Sequence, residues 1–146
     1  MGDFIRFLAS NPCSIDFKLI VELLNNNGAA FSILADVSDP NIGELLHDTD
    51  ILAEIEINAD GDEIFEEDIS DLMEILDETA FPQKEAIMER LNSAQIMVAI
   101  QLTEAGHEAY DLIDPLWDAL LGRCAGILQV DDEGFYDQNG ELLVFE

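Results

Sequence analysis

Basic residues are scarce in this chain. Five Lys and Arg residues stand against 33 Asp and Glu residues, and the formal net charge is −28. Affinity for nucleic acid comes largely from Lys and Arg on phosphates, and anionic membranes attract the same residues. The composition therefore argues against both partners and leaves cations and basic proteins. The alternative is that the acids only keep the protein in solution.

Cysteines and long apolar runs are also few. Cys13 and Cys124 form no spacing typical of a metal or redox site, so we expect two free thiols as small buried side chains. No run of apolar residues is long enough for a membrane helix. The first residues, MGDFIRFLASNP, lack the basic head and apolar run of a signal peptide. These features together predict a cytoplasmic protein.

Recognisable catalytic patterns are missing as well. The chain has no Gly-rich phosphate loop, no serine elbow and no zinc spacing. His47 and His107 are far apart and fit no ligand pattern, which predicts two surface histidines. Neither cysteine has a recognisable base nearby in sequence. The sequence names no catalytic or cofactor-binding residue and favours a protein that is not an enzyme, although the question stays open.

What the chain does have is enough apolar material for a core. It has 146 residues, of which 49% are hydrophobic. A chain of this length buries roughly 68–70% of its unfolded surface. We expect one folded domain.

The clearest pattern lies in residues 51–78. Ile51, Ala53, Ile55 and Ile57 alternate with mostly polar residues, which predicts a half-buried strand. The pair Asp60-Gly61 suits a tight turn. Apolar residues then recur with the period of a helix at Phe65, Ile69, Leu72, Met73 and Leu76.

Similar patterns predict the other elements. Further strands are expected at residues 4–8, 30–37, 96–102, 127–130 and 142–145, and helices at residues 14–25, after Pro82 and at residues 106–121. Residues 38–50 are expected to be a polar connection with a short turn of helix around residues 43–47. Ser14 and Thr103 are predicted helix caps. Pro115 is expected to kink the last helix or to begin a new one capped by Asp114.

The order of these elements predicts the fold class. Each half, about 1–78 and 82–146, contains a β-α-β-β unit, which suggests an internal duplication within one domain. We expect an α/β or α+β fold with a mixed, largely antiparallel sheet and about four main helices. Right-handed crossovers would place helices 14–25 and 106–121 on one face. The alternative is a single mixed sheet in which the order is coincidental.

Residues 56–67, EINADGDEIFEE, are similar to a calcium loop of the EF-hand type. The candidate metal ligands are Asn58, Asp60, Asp62 and Glu67. Glu56 stands where the motif has Asp, and Glu63 stands where it has an apolar residue. A predicted strand also precedes the loop, in place of the motif's helix. The alternative is a tight acidic turn that leads into a helix.

Two segments are similar to a known group of proteins. GDEIFEEDISDL (61–72) and GILQVDDEGFYDQNGELL (126–143) resemble a family of uncharacterised conserved proteins of cyanobacteria. The resemblance implies a cytoplasmic bacterial protein with a single α/β domain, and it implies no activity. Two functional hypotheses follow from the sequence as a whole. The first is an acidic interaction or regulatory protein that binds a basic partner. The second is a protein that binds calcium or another divalent cation through residues 56–67.

Overall fold

The computed structural model describes residues 4–11, 15–26, 30–39, 41–59, 62–78, 84–130, 134–137 and 140–144. These ranges contain eight strands: β1 (Phe4–Asn11), β2 (Phe31–Ala35), β3 (Ile42–His47), β4 (Asp50–Ala59), β5 (Ile96–Leu102), β6 (Ala125–Val130), β7 (Gly134–Asp137) and β8 (Gly140–Val144). They also contain six helices: α1 (Phe17–Asn25), α2 (Glu63–Asp77), α3 (Lys84–Asn92), α4 (Glu104–Glu108), α5 (Tyr110–Ile113) and α6 (Pro115–Arg123).

The strands form one sheet in the order β2-β3-β4-β5-β1-β6-β7-β8. Each of its seven neighbouring pairs is antiparallel. The predicted fold class is therefore confirmed, and the described sheet is antiparallel throughout. The prediction for residues 96–102 coincides with β5, whose apolar run IMVAIQL lies near the centre of the sheet.

Helices cover both faces of the sheet. One face packs on α1 and α6, with Ile20, Trp117 and Leu120 in the core. The predicted placement of the two helical regions on one face is confirmed. The opposite face packs on α2 and α3 through Phe65, Leu76, Ile87 and Leu91. Alternation along each strand supplies both faces, because successive side chains point in opposite directions.

The prediction for residues 38–50 was wrong. Residues 42–47 form strand β3, which pairs with β2 and β4, and contain no turn of helix. The apolar alternation of IGELLH is short and is interrupted by Gly43. Tertiary pairing decides the outcome: Leu45 lies opposite both Ile33 and Ala53 and is fully buried. Strand β7 was missed in the same way, within a segment that reads as turns.

Helix ends agree in part with the prediction. The Thr103 side chain accepts a hydrogen bond from the Gly106 N–H, as a cap does. The chain then divides into three short helices, and a new helix begins at Pro115 as predicted. Asp114 precedes it, but its side chain makes no capping hydrogen bond. Helix α1 is capped by Asp16, and the predicted cap Ser14 and helix start Pro82 lie outside the described residues.

The expectation of two free thiols was wrong for Cys124. This residue is buried, as expected, and it is disulfide-bonded. The chain has one other cysteine, Cys13, which lies outside the described residues.

The element order β-α-β-β-β occurs twice, once from β1 to β4 and once from β5 to β8, with α2 and α3 between the two runs. The two runs occupy different places in the sheet, since β4 lies beside β5 whereas β8 lies at an edge. An internal duplication therefore stays a prediction.

Candidate interaction surface

Helices α2 and α3 cover one end of their face of the sheet. The covered end contains a row of cross-strand neighbours, Asn58, Met97, Leu8 and Ile127, which are all buried. Moving two residues along each strand leads out of this apolar region. The next two rows of the same face contain polar and exposed side chains.

We call these two rows the open sheet face. It is formed by Leu34, Glu44, Glu54, Gln101 and Phe4 in one row and by Ile42, Glu56 and Ala99 in the other. Leu34 is 64% exposed and Ile42 is 36% exposed, although both lie on a sheet. Leu34 and Ile42 line one groove with the exposed Val37, and such an apolar patch bordered by acids is a candidate for binding.

A groove of about 410 Å³ runs over the outer part of this face. Leu34, Val37 and Ile42 supply its apolar lining, and Asp36, Glu44 and Glu54 supply its acids. Its floor includes Gly43, where an added Cβ would meet Ile33 Cγ2 and the Leu34 carbonyl oxygen at 3.0 Å. A smaller pocket of about 70 Å³ continues from Ile42 and Glu54 toward Phe4 and Gln101.

Two glutamates lie directly opposite each other in this surface. Glu44 of β3 is paired with Glu54 of β4. The Ile57 N–H donates to the Asn41 carbonyl, so Asn41 and Ile57 are a hydrogen-bonded pair. Hydrogen-bonded and non-hydrogen-bonded pairs alternate along an antiparallel ladder, which makes the pairs on either side of Glu44–Glu54 hydrogen-bonded. Glu44 and Glu54 thus form a non-hydrogen-bonded pair, in which Cα atoms are about 4.5 Å apart and side chains are closest. Like charges directly opposite each other destabilise a sheet.

Asp36 adds a third charge at the end of the groove. Its Oδ1 accepts hydrogen bonds from the Ser38 hydroxyl at 2.6 Å and from the Ser38 N–H at 2.8 Å. These two hydrogen bonds, the hydroxyl first, lower the pKa of Asp36 below the usual aspartate value. The carboxylate therefore stays ionised at neutral and mildly acidic pH.

One cation borders the open sheet face, and it is engaged toward the covered end. Arg6 Nε donates to Asp68 of α2 at 3.3 Å, and its Nη1 donates to the buried Gln129 at 2.8 Å. The guanidinium also lies 5.1 Å from the centre of the Phe4 ring. Arg6 is on β1, three strands away from Glu44 on β3, and none of these contacts is with the Glu44–Glu54 pair.

The predicted calcium ligands lie in different surroundings. Asn58 is 7% exposed in the covered row, and its Nδ2 has no hydrogen-bond partner within the described ranges. Asp62 precedes α2, and its Oδ2 accepts from the Ala59 N–H at 2.9 Å. Glu67 is exposed on α2, and Asp60 lies outside the described residues. Among the residues that the structure describes, no three His, Cys, Asp or Glu side chains form a metal-holding group. Calcium binding stays a prediction.

Both histidines are partly buried. The His47 ring meets the Phe31 ring edge-on, with centroids 5.0 Å apart, and its Nδ1 lies 3.9 Å from the exposed Asp48 carboxylate. His107 is in α4, on the other side of the sheet from the open sheet face. Neither residue lines the groove.

Sequence reasoning missed the Glu44–Glu54 pair because it missed β3. The sequence Ile42-Gly43-Glu44 could have indicated this surface, because it places one apolar and one acidic residue on the same face of a strand. Register between strands was still needed to bring Glu44 against Glu54.

None of the helices in the described ranges is long and apolar enough to cross a bilayer. Comparison with known proteins finds no family model, no curated protein and no solved structure that matches this chain. The resemblance to a cyanobacterial family therefore rests on the two sequence segments alone.

Proposed function

We propose that this chain is a non-catalytic interaction protein that binds a basic protein partner through the open sheet face. The observation that carries the proposal is the Glu44–Glu54 pair beside the exposed Leu34 and Ile42. A cationic side chain placed between the two carboxylates would remove their repulsion, and an apolar neighbour would cover Leu34.

The alternative is that these acids serve only solubility. Acids that serve solubility are expected on outward-facing helix positions, as on the exposed side of α2. A directly opposed pair on a sheet lowers stability without improving solubility more than a separated pair would. The placement of Glu44 and Glu54 therefore favours a binding role.

The net charge of −28 supports the same class of partner. It steers cations toward the protein and repels nucleic acid and anionic lipid. Electrostatic attraction would speed association, and the exposed apolar side chains would slow dissociation.

One argument for the proposed cytoplasmic location no longer holds. It rested in part on free thiols, and Cys124 is disulfide-bonded. Disulfides persist mainly in oxidising compartments, so the cytoplasmic location stays a prediction.

A short peptide in which lysine and valine alternate is a suitable probe. Its binding to the wild type, to the double variant Glu44→Lys/Glu54→Lys and to Glu66→Lys/Glu74→Lys can be compared by fluorescence anisotropy. Glu66 and Glu74 are exposed on α2, and both variants change the net charge equally. We expect the first variant to weaken binding about tenfold or more and the second much less.

Equal weakening in both variants would contradict the proposal, because binding would then depend on net charge and not on this surface. Binding by the wild type that is insensitive to sodium chloride would also contradict it.

A further inference from the structure

Among the strands that the structure describes, β2 lies at an edge of the sheet and pairs with β3 alone. Its sequence, FSILA, has no charge and no proline. Natural proteins commonly protect such an edge with charged residues, proline or a covering element. An unprotected edge strand either carries an aggregation risk or serves to bind another strand.

The backbone groups that point away from β3 can be assigned from the ladder. The Asp36 N–H donates to the Ile42 carbonyl, and the Asp48 N–H donates to the Ala30 carbonyl. The even-numbered residues of β2 therefore direct their N–H and C=O groups toward β3. The N–H and C=O groups of Phe31, Ile33 and Ala35 point outward.

The outward backbone groups of one of these three residues, Phe31, already have hydrogen-bond partners. The Asn25 side chain accepts from the Phe31 N–H at 2.7 Å and donates to the Phe31 carbonyl at 3.0 Å. Within the described part of the chain, the outward groups of Ile33 and Ala35 have no hydrogen-bond partner. A free stretch of edge thus begins where the Asn25 side chain ends and runs to the groove.

We propose that an extended, basic segment of the partner protein binds here as a ninth, antiparallel strand beside β2. The inference rests on the function proposed above and names how the partner binds. The added strand would pair with Ile33 and Ala35 through main-chain hydrogen bonds, the usual mode of strand addition. Antiparallel pairing continues the pattern of every described neighbour pair.

Side chains of the added strand would meet two different surfaces. Residues opposite Ile33 share its face, where Ile33 packs against the core, and are expected to be apolar. Residues between them share the face of Leu34 and Glu44, which are paired across β2 and β3. A lysine there would lie about 10 Å from the Glu44 backbone, two strand spacings away, within the combined reach of both side chains. Its aliphatic stem would cover Leu34.

Charge selects this partner over a second copy of the chain. Two β2 edges brought together would join two molecules of net charge −28 at an edge that carries Asp36 and Glu44 in each copy. A basic segment of another protein meets the same acids with opposite charge.

The test uses the alternating peptide with N-methyl groups at selected residues and the wild-type protein. N-methylation of the valines blocks the N–H groups that would face β2, whereas N-methylation of the lysines blocks those that face away. We expect the first peptide to bind about tenfold or more weakly and the second to bind like the unmodified peptide. Equal effects, or the reverse order, would overturn strand addition.

The variant Ala35→Pro gives a second arm on the protein side. Ala35 is exposed and its N–H points outward, so proline removes that donor without breaking a ladder hydrogen bond. We expect weaker binding of the unmodified peptide and an unchanged far-UV spectrum. If the methylated peptides bind equally while Glu44→Lys/Glu54→Lys still loses binding, strand addition fails and the proposed function stands. A wild-type dimer in sedimentation that Ala35→Pro dissociates would assign the edge to a second copy and would also overturn the inference.

Discussion

Gly106 marks the closest approach between a helix and the sheet. It lies in α4, whose start is fixed to β4 because Thr103 Oγ1 donates to the Ile51 and Leu52 carbonyls at 2.7 and 2.9 Å. A Cβ at Gly106 would collide with the Leu52 carbonyl oxygen. The side chain has no room, and backbone on both sides prevents an easy shift.

We therefore expect Gly106→Ala to lower the free energy of unfolding by about 2 kcal/mol or more. Gly122→Ala is the matched control, since Gly122 is helical and a Cβ there meets nothing within 4 Å. That variant should be unchanged or more stable by up to about 1 kcal/mol. Urea unfolding curves of both variants check the prediction, and equal stability would contradict it.

Residue roles that depend on local sequence were predictable. The Thr103 cap depends on a side chain three residues from the N–H it accepts, and Trp117 belongs to an apolar stripe of one helix. The position of Gly106 against Leu52 was not predictable, because it depends on contact between segments more than fifty residues apart. The Glu44–Glu54 pair was missed for a related reason, since strand register decides it.

A side chain of helix α1 makes the hydrogen bonds to strand β2 that a neighbouring strand would otherwise make. Asn25 is the last residue of α1 and bonds both backbone groups of Phe31, which is buried. Removing it leaves these groups without their partner. We expect Asn25→Ala to lower the free energy of unfolding by about 1–3 kcal/mol.

Asn92 provides the control for that prediction. It is the last residue of α3, is exposed, and makes no side-chain hydrogen bond to the described residues. Asn92→Ala should change stability by less than about 0.5 kcal/mol. If both alanine variants unfold at the same urea concentration, the Asn25 contact contributes nothing.

The start of α6 carries a carboxylate in unfavourable surroundings. Partial burial, followed by repulsion from Asp118 and Asp111, raises the pKa of Asp114. The folded state is therefore less stable above this raised pKa, and stability returns as pH falls through it. We expect Asp114→Asn to raise the melting temperature at neutral pH and to lose this advantage on acidification.

The pKa of Asp36 is shifted in the opposite direction from that of Asp114, so its effect on stability has the opposite pH dependence. Hydrogen bonds from Ser38 lower its pKa, so its contribution to stability is present above the ordinary aspartate pKa of about 3.9 and is lost as pH falls below it. Asp36→Asn should thus lower the melting temperature at neutral pH. Thermal melts of the two variants that shift in the same direction would contradict the assignment for one of them.

The loop at residues 56–67 has a test of its own. The calcium interpretation predicts saturable heat of binding in calorimetry that Asp60→Ala abolishes. The acidic-turn interpretation predicts no such heat in either protein. Asn58 and Glu67 argue for the second, since one is buried in the covered row and the other is exposed on α2.

Elements with a strong period were predicted and those without one were not. Strand β5 and the helical stripe of α2 have long, regular patterns, and their bounds were close. Strand β3 has six residues, one of them glycine, and is a strand because β2 and β4 lie on either side. Sheet order was beyond the sequence as well, since β1 pairs with β5 and β6, both far along the chain.

At the scale of the whole molecule, the distribution of charge differs from one face of the sheet to the other. The face under α1 and α6 is apolar across most strands, whereas the opposite face is apolar only where α2 and α3 cover it. An uncovered remainder is tolerated because three glutamates keep it hydrated in the absence of a partner. Like charges directly opposite each other destabilise a sheet, and under the proposed function a bound cation would relieve this repulsion.

The chain as a whole carries 28 more negative than positive formal charges. Folding brings these charges together, so the compact state gains more than the expanded chain from each proton that neutralises a carboxylate. The folded state should then bind more protons than the unfolded state in the mildly acidic range, and linkage makes stability rise as pH falls from neutral.

Salt acts in the same direction, because the screening length shrinks from about 10 Å at 0.1 M to about 3 Å at 1 M. Ion pairs such as Arg6–Asp68 and Lys84–Asp77 oppose both effects, but five basic residues are too few to reverse them. We therefore expect a higher melting temperature at about pH 6 than at about pH 8, and at high than at low sodium chloride. Thermal melts check both; an equal or lower melting temperature at the lower pH and at high salt would show that the acids are compensated locally, as a bound cation would do.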